Sequence, residues 1–271
     1  MKNLKGTFIL LLAAFIWGTA FVAQTSAGDN IGAFTFNACR NIIGALFLFI
    51  VIAILDMRKY SDRYDNPSEN NYNIYKKNYI INKKDYLTDA NKWPVKEGVI
   101  CGILLCIAMN LQQIGINTYP DGVAVSGRAG FLTATYVVMI AIASVFMGQK
   151  LHKLTIIAAF VCIVGMYLLC IAGGIDEIYV ADILELMCAV AFTIHMFTVD
   201  KCDKADGVKL SCIQFLTSGI LSGILMLIFD KADINSIMKA IIPILYAGVM
   251  SSGIAYTLQI IGQKYAKPSV T

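Results

Sequence analysis

Several polar side chains lie inside long apolar stretches of this sequence, where they are well placed to bind a small molecule. Arg40 carries a charge within such a stretch, and a charge in a bilayer costs about 2.5–3.5 kcal/mol unless it has a partner or an aqueous cavity. Its guanidinium could hold an anionic group such as a carboxylate, or it could bond structurally to main-chain carbonyls. Asn37 lies one helical turn earlier and is expected to support Arg40.

Side-chain amides and aromatic rings form a second set of candidates. Gln112 and Gln113 lie beside Asn110, and Gln259 repeats Gln112 in a similar pattern. Amides at membrane depth either line a pathway or bond between helices, and amphipathic aromatics either wall a cavity or pack. The candidates for a substrate pathway are Trp17, Asn37, Arg40, Gln112, Gln113, Tyr136, Tyr256 and Gln259.

Clustered catalytic groups do not accompany these residues. His152 and His195 are 43 positions apart, the 8 cysteines show no CxxC spacing, and there is no Walker A pattern. The spacing of the histidines excludes HExxH zinc chemistry, and the absence of a Walker A pattern argues against ATP-driven pumping by this chain. His195 could relay a proton or bond to a neighbouring helix. Glu185 is the main carboxylate within an apolar stretch, so we expect no enzyme, no metal and no cofactor.

The composition predicts an all-α membrane protein. Hydrophobic residues make up 58% of the chain and charged residues 15%, with a mean hydropathy of +0.67, whereas soluble domains carry about 25% charged residues. A lipid bilayer is therefore the expected partner, and nucleic acid is not. Apolar runs long enough to cross it predict eight spans: Gly6–Thr25, Phe34–Leu55, Gly98–Thr118, Phe131–Met147 (or from Ala124), Leu154–Ala172, Ile183–Val199, Ser211–Phe229 and Ile242–Gly262.

Basic residues predict the orientation of these spans. With the N-terminus in the cytoplasm, 18 of the 22 Lys and Arg residues fall in cytoplasmic segments, as the positive-inside rule requires. We therefore predict a multi-pass protein of the cell (inner or plasma) membrane. The hydrophilic segment 56–95 is predicted to be a cytoplasmic loop.

An internal repeat relates the two halves of the chain. At a shift of 175, LAAFIWGTAFV lies on MCAVAFTIHMF, and at a shift of 174 Asp56 lies on Asp230. LQQIG matches LQIIG at a shift of 147, so the hydrophilic loop is an insertion. Residues 1–174 form a first repeat of five spans and residues 181–271 a second with three. Because five spans are an odd number, the halves should be inverted, and the sequence is expected to lack two further helices.

Four segments of the sequence resemble the EamA family of the drug/metabolite transporter superfamily. They are the WG motif in Phe15–Phe21, the segment Asn37–Asn41 around an arginine, Gly127–Thr133 and Ser252–Gln259. The resemblance implies ten helices in two five-helix repeats and proton-linked or facilitated movement of metabolites, often export of amino acids. Two departures are Ala141, where the fourth helix usually has proline, and Gln149, where an acidic residue usually follows.

The leading hypothesis is therefore a secondary transporter, and in particular an exporter, of a small metabolite such as an amino acid. It would work by alternating access around a site at the membrane midplane. One alternative is an inactive or truncated membrane protein with a structural or assembly role; an intramembrane enzyme is the weakest. The sequence leaves open whether the protein is a monomer or a homodimer.

Overall fold

A computed structural model describes residues 2–64, 93–148, 153–170, 178–202, 205–231 and 233–263. All regular structure within these ranges is helical. The helices are α1 Lys2–Gly28, α2 Ala33–Tyr64, α3 Val95–Thr118, α4 Val125–Phe146, α5 Lys153–Cys170, α6 Val180–Asp200, α7 Gly207–Leu225, α8 Ile234–Lys239, α9 Ile241–Leu245 and α10 Tyr256–Gln263. Two π-helical segments complete them, Met226–Asp230 after α7 and Tyr246–Ala255 between α9 and α10.

Seven spans in the described ranges are long and apolar enough to cross a membrane, and large apolar side chains on several of them are exposed, as a lipid-facing surface requires. The protein is therefore a multi-pass, all-α membrane protein, as predicted. The seven correspond to the first four and the last three predicted spans. Helix α5 lies at the fifth, with a shorter apolar stretch at 156–165.

The structure corrects two predicted boundaries and decides between the two predicted starts of a third helix. Helix α2 continues to Tyr64, past the predicted start of the loop at Asp56, because the sequence reaches no helix-breaking proline or glycine before Pro67. The rest of the predicted loop, 65–92, lies outside the described residues. Helix α4 begins at Val125, which agrees with the earlier of its two predicted starts. Helix α6 begins at Val180, so Asp182, predicted to lie in a loop, is in its first turn.

Helices α2 and α7 form the antiparallel centre of the bundle, and both of their ends are tied by side chains. Lys209 at the start of α7 is buried, and its Nζ lies 3.6 Å from Oδ2 of Asp56. At the opposite end, Oδ2 of Asp230 accepts hydrogen bonds from the main-chain N–H and the hydroxyl of Thr35, at 2.6 and 2.9 Å. We call the end marked by Asp56 and Lys209 the proximal end, and the end marked by Thr35 and Asp230 the distal end.

Small residues let the helices approach closely, as is usual in membrane bundles. A Cβ built on Gly44 would lie 2.7 Å from Cβ of Ser252, and one on Gly253 would lie 2.5 Å from the Phe47 ring. Such contacts support the packing role expected of these glycines. Gly18 behaves differently, since a Cβ there meets nothing within 4 Å.

Gly102 and Gly18 give a matched test of this packing. A Cβ on Gly102 would lie 2.6 Å from Cβ of Thr217 and 2.8 Å from the carbonyl oxygen of Gln214, which is main chain and cannot easily move. We expect Gly102→Ala to cost about 1–3 kcal/mol of stability through overpacking. Gly18→Ala should be neutral or slightly stabilising, because alanine favours helix. Thermal unfolding of both variants in one detergent measures this, and equal melting temperatures would contradict the packing described.

Candidate functional site

Arg40 lies on α2 about 10 Å from the distal end of the helix, at 1.5 Å per residue. It is the largest fully enclosed side chain in the described residues, only 2% exposed. Its Nη1 donates to Oε1 of Gln24 at 3.1 Å, and its guanidinium carbon lies 5.0 Å from the centroid of the Phe36 ring. Nε and Nη2 have no hydrogen-bond partner among the described residues. Two donors of a buried cation are therefore available to an anionic group.

Gln24 is the partner of Arg40 that the sequence analysis missed. It lies on α1, is buried, and uses its main-chain carbonyl to accept a bond of 3.0 Å from Nε2 of Gln113. Gln113 also donates to Oδ1 of Asn117 at 2.9 Å. Gln113 thus fixes α3 to α1 and helps to position Gln24. An amide near the end of an apolar first span was the available signal.

Asn37 makes no hydrogen bond to Arg40 within the described residues, although their spacing suggested one. Its Nδ2 donates to the carbonyl of Met109 and to Oδ1 of Asn110, both at 2.9 Å. Asn110 in turn donates to Oγ of Ser222 on α7 at 2.9 Å. Asn37 therefore fixes α2 against α3 and α7, because the helix on that side presents polar groups that the sequence spacing could not reveal.

An acidic group lies on the other side of the site, on α6. Nε2 of Gln112 donates to Oγ1 of Thr133 at 3.2 Å, and Thr133 donates to Oε2 of Glu185 at 2.8 Å. All three side chains are buried. Cys188, one turn after Glu185, contacts Thr133 and lies within electrostatic range of both Glu185 and Arg40. Cys188 is therefore close enough to interact electrostatically with both the basic and the acidic group.

Aromatic side chains border the same region. The Tyr256 ring meets Trp17 edge to face at 5.2 Å between centroids, and Phe215 at 4.7 Å. Tyr136 and Arg40 are both within electrostatic range of Tyr256. Trp17, Tyr136 and Tyr256 are only half-buried although they lie near the middle of their spans, so ring surface remains free to contact a small molecule.

Two other predicted candidates lie among different neighbours. His195 is buried, and its Nε2 is 3.0 Å from Oε1 of Gln214. Nε2 of Gln259 donates to Sδ of Met196 at 3.7 Å, whereas Gln112, its counterpart in the proposed repeat, donates to Thr133. Tyr256 packs against Trp17 and lies within electrostatic range of Arg40 and Tyr136, while Gln112 is linked through Thr133 to Glu185. Asn37, Gln113, His195 and Gln259 instead bond to neighbouring helices.

Comparison with known proteins agrees with this architecture. Residues 4–70 match the model of the EamA-like transporter family. An "Uncharacterized transporter" of Archaeoglobus fulgidus is 24% identical over 272 residues, which cover 99% of this chain and 73% of that protein. The chain thus resembles the EamA-like transporter family over residues 4–70, and a membrane transporter is the class of protein that these similarities support.

A solved structure shares the fold of this protein. A protein of known crystal structure superposes with a TM-score of 0.67 at 18% identity, covering 98% of this chain and 82% of that chain. At this identity the similarity concerns the fold alone. The arrangement of helices in this chain therefore also occurs in a protein of known structure.

A hydrogen-bond network around Asp182 joins three helices at the distal end of the bundle. Arg128 on α4 donates from Nε and Nη2 to the two oxygens of Asp182, both at 2.7 Å. Tyr119, just after α3, donates its hydroxyl to Oδ1 at 2.7 Å, and Tyr179 donates its main-chain N–H to Oδ2 at 2.9 Å. Burial and the bond to Asp182 raise the pKa of Tyr119 above its ordinary value, so it stays a donor. The network fixes α3, α4 and α6 together.

Proposed function

We propose that this protein is a secondary transporter that exports a small carboxylate-bearing metabolite, such as an amino acid, by alternating access. The observation that carries the proposal is Arg40, a buried cation with two donors, Nε and Nη2, that the described residues leave unused. A carboxylate is planar and accepts two parallel bonds from a guanidinium. A bound carboxylate would neutralise the charge of Arg40, which burial places in a medium of low dielectric constant.

The neighbouring groups fit the rest of such a molecule. Trp17 and Tyr256 offer free ring surface beside Arg40, and apolar or aromatic portions of a substrate pack well on such rings. Cys188 on α6 and Thr133 on α4 add small polar groups to the site. A small molecule with one anionic group and an apolar body suits this combination.

Contacts that recur between the halves support the inverted repeat. Asp56 and Lys209 pair at the proximal end, and Asp230 and Thr35 at the distal end; Thr35 precedes Lys209 by 174 positions, as Asp56 precedes Asp230. One interaction is therefore the image of the other under exchange of the halves. Such a relation is expected of inverted repeats that alternate by rocking.

A second pair of contacts follows the same relation. A Cβ on Gly115 would approach Glu185, with the Ala181 carbonyl 3.3 Å away. A Cβ on Gly262 would approach Leu10, with the Gly6 carbonyl 3.5 Å away. The glycines are 147 positions apart and their partners 175, which are the shifts found in the sequence. We propose that 1–174 and 181–271 are these repeats.

The distribution of Lys and Arg supports a cytoplasmic N-terminus in the cell membrane. The proximal end is then cytoplasmic, and the closed network around Asp182 faces outward. In this orientation the site would load from the cytoplasm, as an exporter requires.

Counterflow in proteoliposomes tests the proposed function. Vesicles containing the purified protein are loaded with an unlabelled mixture of L-amino acids, and entry of the same labelled mixture is followed. We expect transient accumulation of label that protein-free vesicles do not show. If the protein-containing vesicles match protein-free vesicles for every amino acid, while purified protein remains monodisperse, the proposed substrate class is wrong.

A further inference from the structure

Glu185 is a buried acid that the substrate site proposed above does not use. It is 0% exposed, and no Lys, Arg or His in the described ranges forms an ion pair with it. Its Oε2 accepts one hydrogen bond, from Thr133, while Oε1 has no partner there. A carboxylate ion in such a place would lack most of the donors that stabilise its charge.

The charges packed around Glu185 reinforce this argument. On its own helix, Asp182 lies one turn earlier and within electrostatic range, and the Cys188 thiol lies one turn later. The cation on α4, Arg128, is engaged on both oxygens of Asp182. Helix α3 contributes only Gln112, through Thr133, and the Tyr119 hydroxyl that follows the helix. The uncommitted cation Arg40 on α2 is within electrostatic range of Cys188 but forms no ion pair with Glu185 among the described residues. An ionised Glu185 would therefore face the carboxylate of Asp182 without a paired cation.

The backbone of α3 keeps the space beside the free oxygen small. A Cβ added to Gly115 would lie 2.8 Å from Oε1 of Glu185, so the carboxyl packs directly against a bare main chain. Water therefore has little room beside Oε1, and a carboxylate ion at this place would lose hydration that no other donor replaces.

We propose that Glu185 is the proton-binding residue of the transport cycle, an inference that rests on the transporter function proposed above. In the closed arrangement described here, Oε1 holds a proton taken from water, and Oε2 accepts from Thr133. When the helices separate and water reaches α6, the carboxyl releases that proton to water and is ionised. The Gln112–Thr133 chain holds the side chain in place in both forms.

This assignment differs from the relay expected at His195. Nε2 of His195 is engaged with Gln214, and its neighbours are on the α7 side of the bundle. Glu185 lies instead next to Cys188, which is within range of Arg40. His195 approaches the proposed substrate site through Phe192, whose ring centroid lies 6.5 Å from that of His195 and 6.1 Å from that of Tyr136.

The first experiment measures coupling in proteoliposomes with the labelled L-amino acid mixture as probe. A gradient of about one pH unit can drive about tenfold accumulation for one proton per substrate. We expect the wild type and the control Glu97→Gln, whose carboxyl is exposed on α3, to respond to the gradient. In Glu185→Gln the ratio of uptake with and without the gradient should fall to about one. A Glu185→Gln ratio equal to that of the wild type would overturn the proposal and leave the transporter function standing.

The second experiment does not depend on transport. Infrared difference spectra of the purified wild type at neutral pH should contain the carbonyl stretch of a protonated, weakly bonded carboxyl. This band should be absent from the spectra of Glu185→Gln and present in those of Glu97→Gln. An unchanged spectrum in Glu185→Gln rules the proton site out. If the wild type transports none of the labelled amino acids, the transporter proposal fails on its own. The infrared band still decides the protonation state of Glu185 in that case. It also decides that state if Glu185→Gln proves inactive in transport.

Discussion

Arg40→Met should make the ligand-free protein more stable while it removes substrate binding. The guanidinium is buried with two donors unused by the described residues, so methionine relieves a desolvation cost of about 2–3 kcal/mol. Two charge-assisted hydrogen bonds to a carboxylate are lost at the same time, and the dissociation constant should rise about 100-fold or more. A rise in melting temperature together with lost binding marks a functional arginine, whereas a structural one would lower the melting temperature.

Binding can be read from Trp17, which lies against Tyr256 at the proposed site. The chain has 2 tryptophans, so Trp93→Phe leaves Trp17 as the reporter, and each standard amino acid is titrated singly in detergent. Arg40→Lys is the matched control, because it keeps the charge and loses the planar pair of donors. Its affinity should fall between those of the wild type and Arg40→Met. Equal affinities in all three proteins would remove Arg40 from the site.

Asp182→Asn should be the most destabilising single change at the distal end. It leaves Arg128 buried without its anion, since both guanidinium bonds of 2.7 Å end on Asp182, and the two side chains are 7% and 6% exposed. Breaking a buried ion pair from one side costs about 3–5 kcal/mol. Thermal unfolding in one detergent measures the loss.

The double variant Arg128→Met with Asp182→Leu provides the control for that result. Because no charge remains unpaired, we expect it to recover most of the stability lost in Asp182→Asn. If Asp182→Asn has the same melting temperature as the wild type, the ion pair does not hold α4 to α6. If the double variant is as unstable as Asp182→Asn, the loss comes from packing rather than from charge.

The predicted spans largely match the described helices because hydrophobic length is a local property of the sequence. The start of α6 was misplaced since Asp182 is polar, and only its pairing with Arg128 allows a carboxylate to remain in the first helical turn. The eighth predicted span is a continuous rod, but its π-helical segment Tyr246–Ala255 follows from tertiary packing against α1 and α2, which the spacing of apolar residues does not encode.

The site was predictable in part. A charge within an apolar run is conspicuous, so Arg40 was found, whereas its neighbours depend on which helices meet. Gln24 is 16 positions from Arg40, and the spacing of Asn37 suggested a contact that the structure gives to Asn110 instead. Glu185 was noticed as an exception among the spans, but its bond to Thr133, 52 positions away, could not be read from either helix alone.

Exchange of an acid against its amide tests the central claim most directly. In proteoliposomes, counterflow of a labelled L-amino acid is compared with that of the same compound carrying a neutral amide in place of its carboxylate, for the wild type and Arg40→Met. The account predicts that the wild type exchanges the acid and rejects the amide by about 100-fold, and that Arg40→Met loses this discrimination. Equal exchange of acid and amide by the wild type, or unchanged discrimination in Arg40→Met, would contradict a transporter whose substrate is held by Arg40.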